Sequence, residues 1–208
     1  MSKLTFLTLV FAGLSIISCR RKDIQPVVVL NGEHEQTIAL GQPYVEMGAV
    51  AKDNKDGDIS EDIVITGAVN KDLVGEYRLF YNVEDSEGNK AATATRFVSV
   101  VNSADFMIGT YLATPGCTGT MTTPEYNTSI TTSSTVNNQV FIRKIMFAED
   151  DQPVVANISG DVITIPSQTI GLRTVSGTGN IISGNFLINV MIEGAGTSYD
   201  CSIDHIKL

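Results

Sequence analysis

The feature that most limits what this chain can fold into is a two-residue rhythm of apolar and polar side chains. In the run from Gly75 to Glu84, Tyr77, Leu79, Tyr81 and Val83 fall on one side, and Arg78, Asn82 and Glu84 on the other. Phe80 is the exception, pointing with the polar set. Further on, Phe186, Ile188, Val190 and Ile192 alternate with Leu187, Asn189, Met191 and Glu193, and Tyr199, Cys201 and Ile203 oppose Asp200, Ser202 and Asp204. Successive side chains of an extended backbone leave on opposite faces, so this rhythm predicts half-buried strands. Gly, Pro, Asn and Asp bound the runs, and helical periodicity is nearly absent. The predicted class is all-β, and an apolar content of 43% suffices for packed cores.

Two strand-rich parts meet near Asn102-Ser103-Ala104-Asp105. Acidic turns characterise the part before it; Thr, Ser, Gly and Asn with few charges characterise the part after it. We therefore divide the chain into units over 26–102 and 105–208, each large enough for one core. In the second, strands predicted around 126–132, 139–145, 154–159, 162–166, 175–182, 185–193 and 197–206 form a meander. It either closes into a small up-and-down antiparallel barrel or folds as a second sandwich. Ser176-Gly177-Thr178-Gly179-Asn180 and Ser183-Gly184-Asn185 are predicted as tight hairpin turns.

The amino-terminal segment is different. Lys3, an apolar run from Leu4 to Ile17, Ser18 and Cys19 have the layout of a secretory signal peptide over 1–18. The run is shorter than the roughly 20 apolar residues of a spanning helix. Cys19 at the cut resembles the lipobox of bacterial lipoproteins, in which that cysteine becomes the lipid-bearing first residue. The resemblance implies a membrane anchor at Cys19, a linker over 19–25 containing Arg20-Arg21-Lys22, and an outer-membrane location facing either the surface or the periplasm. An ordinary signal peptide cut elsewhere is the alternative. Lipidation of Cys19 would leave Cys117 and Cys201 as a disulfide pair in an oxidising compartment, or as two unrelated buried thiols.

The first unit carries an ordered series of motifs. Pro26-Val27-Val28-Val29-Leu30-Asn31-Gly32 is followed by Gly41-Gln42-Pro43-Tyr44, Gly48-Ala49-Val50-Ala51 and Asp53-Asn54-Lys55-Asp56-Gly57-Asp58-Ile59-Ser60. Gly75-Glu76-Tyr77, Val83-Glu84-Asp85-Ser86-Glu87-Gly88-Asn89 and a closing strand to Val100 complete it. Over about 25–101 the chain resembles the Ig-like domain of Bacteroidetes surface lipoproteins, related to Ig-like repeats of pesticidal crystal toxins and hyalin-repeat proteins. That implies an Ig-like β-sandwich and a spacer or adhesion role. In the second unit, Gly109-Thr110-Tyr111 faintly resembles the opening Gly-x-Trp of lipocalins without the tryptophan, which favours a calycin-like barrel over a sandwich.

Candidate chemistry is sparse. Asp53, Asp56 and Asp58, with Asp85 from the other acidic turn, offer oxygen ligands suited to Ca²⁺, the one cofactor these residues suggest. They do not form an EF-hand: with Gly57 at the sixth position, Lys52 occupies the first and Ile63 the twelfth. The same Asp residues also serve as ordinary turn formers. His34 lies in a polar turn, and His205 sits beside Asp204 on the opposite face of a strand. Cys117 follows Thr114-Pro115-Gly116, read as a turn, and lacks a motif-borne base. Tyr111, Tyr126, Phe141, Phe147, Phe186 and Tyr199 read as core rather than as a stacking platform. A net charge of −9 excludes a nucleic-acid footprint. Together these features predict a non-enzymatic, lipid-anchored envelope protein. Its Ig-like spacer would present a β-rich domain to a glycan, small ligand or protein partner; the alternative is a purely structural subunit of a surface assembly.

Overall fold

The computed structural model describes residues 22–118, 123–146, 152–194 and 196–208. The predicted leader, Cys19 and Phe147 lie outside them. Among the described residues, every regular element is a strand or a single 3-10 turn.

The first unit pairs two sheets. One contains β1 (Val27–Leu30), β3 (Ala49–Asp53) and β4 (Gly57–Asp58); the other is ordered β2 (Glu35–Ala39), β7 (Ala94–Val101), β6 (Gly75–Asn82) and β5 (Val64–Thr66). β2 runs parallel to β7 and the remaining pairs are antiparallel. The alternation in β6 acts as expected: Leu79, Tyr81 and the following Val83 are buried, while Phe80 is on the outer face. Leu30, Ala51, Val98 and Val100 complete the inner surface.

A charged residue lies within that core. Arg96 of β7 is 0% exposed. Its Nη2 donates to the carbonyls of Asn31 (2.8 Å) and Gly48 (3.1 Å), and its guanidinium lies 5.5 Å from the Tyr81 ring centre. The Glu46 carboxylate is 3.5 Å away and accepts hydrogen bonds from the Tyr44 and Tyr81 hydroxyls. Partial burial works against ionisation of Glu46. The hydrogen bonds from Tyr81, Tyr44 and the Gly48 amide, with the Arg96 charge, outweigh it and hold the carboxyl below its usual range.

The second unit is a closed eight-stranded barrel, which resolves the choice between barrel and sandwich. Its strands are β8 (Gly109–Cys117), β9 (Tyr126–Thr132), β10 (Gln139–Arg143), β11 (Val154–Ser159), β12 (Val162–Ile170), β13 (Arg173–Ile182), β14 (Asn185–Gly194) and β15 (Thr197–Lys207). Each pairs with the next, and β15 closes onto β8. Alternating residues fill the interior, among them Tyr111, Ile130, Ile142, Ile163, Phe186, Ile188, Ile192 and Ile203. A 3-10 turn, Asp105–Met107, covers one end: Met107 is fully buried and its carbonyl accepts the Tyr111 hydroxyl at 2.9 Å.

Two local expectations are corrected. Thr114-Pro115-Gly116 is not a turn but part of β8, with Pro115 opposite Ile203. β8 pairs with β9 only over Gly109–Ala113, so at Pro115 it is an edge on that side and tolerates a missing N–H. Likewise, Ser176–Asn180 is the middle of β13, not a hairpin. Gly177 and Gly179 face Val190 and Ile188; a Cβ on either would lie 2.3 Å from a β14 carbonyl oxygen. Glycine there permits close strand approach, whereas Ser183-Gly184, both at positive φ, makes the actual two-residue turn.

At another irregularity, the register between β12 and β13 shifts between Ile165 and Gln168. The Gln168 side chain accepts from the Val155 amide (2.8 Å) and donates to its carbonyl (2.7 Å), supplying β11 with the two bonds a regular strand would have made.

Candidate functional site

The sequence-predicted carboxylates occupy two neighbouring turns. The hairpin between β3 and β4 carries Asp53, Asn54, Lys55 and Asp56; the turn after β6 carries Asp85, Ser86 and Glu87. The structure brings Asp53 and Asp85 together, but their third partner is Asp23. One ligand oxygen from each of the three lies within 4.8 Å of the others. Asp56 instead accepts hydrogen bonds from the Ser86 amide (2.8 Å) and hydroxyl (2.9 Å), which ties the turns to each other. Asp58 is used to hold Ser60, accepting from its amide and hydroxyl.

Donors orient each member of the triad. Asp53 Oδ2 accepts from the amides of Asp56 and Lys55, which hold its carboxyl below the usual range. Burial pushes the Asp85 carboxyl up, but hydrogen bonds from the Asn89 side chain, the Asn89 amide and the Glu87 amide bring it below normal despite the neighbouring Asp53 charge. Asp23 Oδ2 accepts from Asn89 Nδ2 at 2.8 Å, and Lys55 Nζ lies 3.5 Å from the same oxygen. Asn54 completes the junction: its Oδ1 accepts the Ile24 amide and its Nδ2 donates to the Lys22 carbonyl. Sequence spacing could not find Asp23, which stands thirty residues before Asp53. Its signal was the pair of asparagines, Asn54 and Asn89, embedded in the acidic turns.

Cys117 and Cys201 form a disulfide across a sequence separation of 84 residues. They are direct partners in the β8–β15 pairing, so the bond staples the seam that closes the barrel. His205, on the same strand, is fully buried. Its ring stacks on Phe186 with centroids 4.1 Å apart, Nδ1 lies 3.1 Å from the Ile203 carbonyl, and Nε2 has no hydrogen-bond partner. Burial lowers its pKa from 6.5 to about 4, outweighing the Ile203 carbonyl and the Asp204 charge. Asp204 is on the exposed face, so the two do not form an acid–base pair. His34 is exposed, and its carbonyl accepts the Phe97 amide at 2.8 Å.

A buried asparagine joins the two units. Asn102 is 1% exposed. Nδ2 donates to the carbonyls of Ser133 and Val136, and Oδ1 accepts the amides of Ala104 and Asn138, each at 2.9 Å. The Val74 amide donates to the Ser134 carbonyl at 2.9 Å, a second link from the first unit to the loop between β9 and β10.

Residues 28–100 match the family model of the bacterial surface protein Ig-like domain. The resemblance read from the ordered turn motifs is thereby borne out for that stretch. No curated protein matches the chain. Among solved structures, a lipoprotein from Bacteroides thetaiotaomicron aligns over its whole length (100%) with 88% of this chain, at 19% identity and a TM-score of 0.37. The CBM51-2 and INT domains of Clostridium perfringens ZmpB, in complex with GlcNAc, align with 88% of this chain at 14% identity and a TM-score of 0.32; the alignment spans 44% of that protein chain.

Proposed function

We propose that this is a non-enzymatic, lipid-anchored protein of the bacterial outer membrane whose Ig-like domain is a spacer for the barrel. The barrel contacts a glycan, a small ligand or a protein partner. The matched surface-protein domain supports a cell-envelope location. The observation that carries the spacer reading is the Asn102 junction. Three hydrogen bonds from one buried side chain to the β9–β10 loop couple the end of β7 to the barrel, so a domain held above the membrane would present the barrel in a fixed attitude. Side chains fill the barrel interior, which directs contacts to its outer surface and rims. Burial of His205 away from Asp204 supports a binding role over acid–base chemistry.

The anchor is tested by palmitate labelling and membrane fractionation of cells expressing the full chain. Label and membrane retention are expected to disappear together in Cys19→Ser; a soluble, unlabelled wild type would sink the anchor. Presentation is tested by screening the purified protein for thermal stabilisation by glycans and small ligands. Hydrolytic turnover lost on one substitution would overturn the non-enzymatic reading.

One observation favours a purely structural subunit of a surface assembly instead. Phe106, Ile108, Ile206 and Leu208 are 54%, 47%, 47% and 71% exposed, and the Lys207 ammonium donates to the Phe106 carbonyl among them. A stoichiometric partner that co-purifies with wild type and is lost in Ile206→Asp would favour that role.

A further inference from the structure

We propose that Asp23, Asp53 and Asp85 form a Ca²⁺ site that locks the linker behind the lipid anchor onto the Ig-like domain. Only the consequence for the linker rests on the tethered-spacer reading; the site stands on its own geometry. Three carboxylates arrive from three segments: the linker, the β3–β4 hairpin and the turn after β6. Asp85 is itself only 7% exposed. A separate observation points to a ligand: Asp23 Oδ1 and Asp53 Oδ1 are both sealed from solvent, and neither receives a hydrogen bond. In both residues the donors engage Oδ2, so the free lone pairs belong to the sealed oxygens. A carboxylate oxygen that has lost water and gained no donor carries a desolvation cost that a bound cation would offset. The Lys55 ammonium meets one of the three charges and divides itself between Asp23 (3.5 Å) and Glu87 (3.1 Å).

The donor set selects the ion. It offers hard oxygens alone, with no thiolate or imidazole among the three residues, which disfavours Zn²⁺ and Cu²⁺. Carboxylates brought together from separate segments suit the irregular six- to eight-fold shell of Ca²⁺ better than the tight octahedron of Mg²⁺. Asp23 stands four residues after Cys19, and Asn54 already holds the backbone on both sides of it. An ion at this point therefore adds the first residues after the anchor to the rigid domain. Removing it leaves the linker attached through hydrogen bonds and Lys55 alone.

The test uses the mature full-length chain in detergent, stripped of divalent ions and titrated with CaCl₂ by calorimetry. The same samples are digested with trypsin and cleavage at the Lys22–Asp23 bond is followed. We expect one ion per chain with a dissociation constant in the range of extracellular modules, about 0.1–1 mM. We expect cleavage after Lys22 to slow at least tenfold at saturating Ca²⁺. Asp23→Asn, in the linker and outside both cores, should abolish binding and protection while leaving the thermal unfolding of calcium-free protein unchanged. Lys55→Met removes the competing ammonium and should tighten binding several-fold, which a merely structural triad would not do. No binding to wild type at 5 mM CaCl₂, equal binding by Asp23→Asn, or equally tight binding of MgCl₂ would each overturn the proposal. Palmitate labelling does not depend on calcium, so failure here leaves the anchor reading separately decided.

Discussion

The buried imidazole of His205 ties barrel stability to pH in a calculable way. Folding lowers its pKa from 6.5 to about 4. Between those values the unfolded chain binds a proton that the folded chain refuses, so stability rises with pH. The contribution is complete above the unfolded pKa and is lost as pH falls from about 6.5 to about 4. Over the full span the linkage relation gives about 3 kcal/mol, and between about pH 7.5 and pH 5 about 2 kcal/mol. The physical cause is local. Phe186 covers one face of the ring, Nδ1 is directed at the Ile203 carbonyl, and Nε2 makes no hydrogen bond. The Asp204 charge favours protonation, but from the far side of the strand.

Urea unfolding of the wild type and of His205→Phe, measured at pH 7.5 and pH 5, isolates this effect. Carboxylates whose pKa is lowered by folding also lose stability in acid, but they do so equally in both proteins and cancel in the difference. The expected result is a wild type that loses about 2 kcal/mol more than the variant over that interval. A native-state NMR titration of the ring should show the midpoint near 4. Equal pH dependence in the two proteins, or a native midpoint near 6.5, would refute the reasoning.

Four further perturbations probe the pins elsewhere in the chain. Cys117→Ser with Cys201→Ser releases a loop of 84-residue separation, which the chain-entropy relation values at about 4–5 kcal/mol; an unchanged urea midpoint would refute the seam. Arg96→Met removes the guanidinium donor to the carbonyls of Asn31 and Gly48, of which Gly48 keeps the Asn31 amide, and should cost about 2–4 kcal/mol by the same assay. Glu46→Gln removes the carboxylate facing the buried Arg96 guanidinium and one of the two oxygens that accept Tyr44, Tyr81 and the Gly48 amide, and should cost a comparable amount. Asn102→Ala breaks four bonds at the junction and should broaden the interdomain distance distribution seen by X-ray scattering, with a stability loss of about 2–3 kcal/mol.

Facing was legible in the sequence; pairing was not. The parity of Leu79 to Val83 and of Tyr199 to Ile203 correctly predicts which side chains enter or pack against a core, including Cys201, while Tyr77 at the start of the first run stays half-buried outside it. The same parity is satisfied by a sandwich and by a barrel; what distinguishes them is the pairing of β15 with β8, which alternation does not encode. Pro115 and the glycines of β13 misled for a related reason. Each is a turn residue by local preference, and each is accommodated in a strand by a neighbour distant in sequence: an unpaired edge for Pro115, and the bulky Ile188 and Val190 for the glycines. In the acidic cluster, Asp53 and Asp85 were within reach of motif reading, whereas Asp23 looked like linker. Only the fold brings residue 23 to the turns.

This division suggests why the chain carries costly polar groups where segments distant in sequence meet. Apolar alternation is degenerate, since one Val- or Ile-rich strand face packs about as well against another, and sliding by two residues preserves it. A buried or half-buried polar group with directional demands does not tolerate such a slip. Arg96 requires the carbonyls of Asn31 and Gly48, Gln168 requires both bonding groups of Val155, and Asn102 requires the loop from Ser133 to Asn138. The Cys117–Cys201 bond sets the register of the barrel seam in the same sense, by covalent means. Misregistering Arg96 or Asn102 leaves an unpaired polar group in the interior, at a cost of about 1–3 kcal/mol or more. Their contribution therefore lies less in the stability of the correct pairing than in the penalty on its neighbours. On that account Arg96→Met should do more than lower the unfolding midpoint: it should reduce the cooperativity of the transition as alternative registers of β7 become accessible.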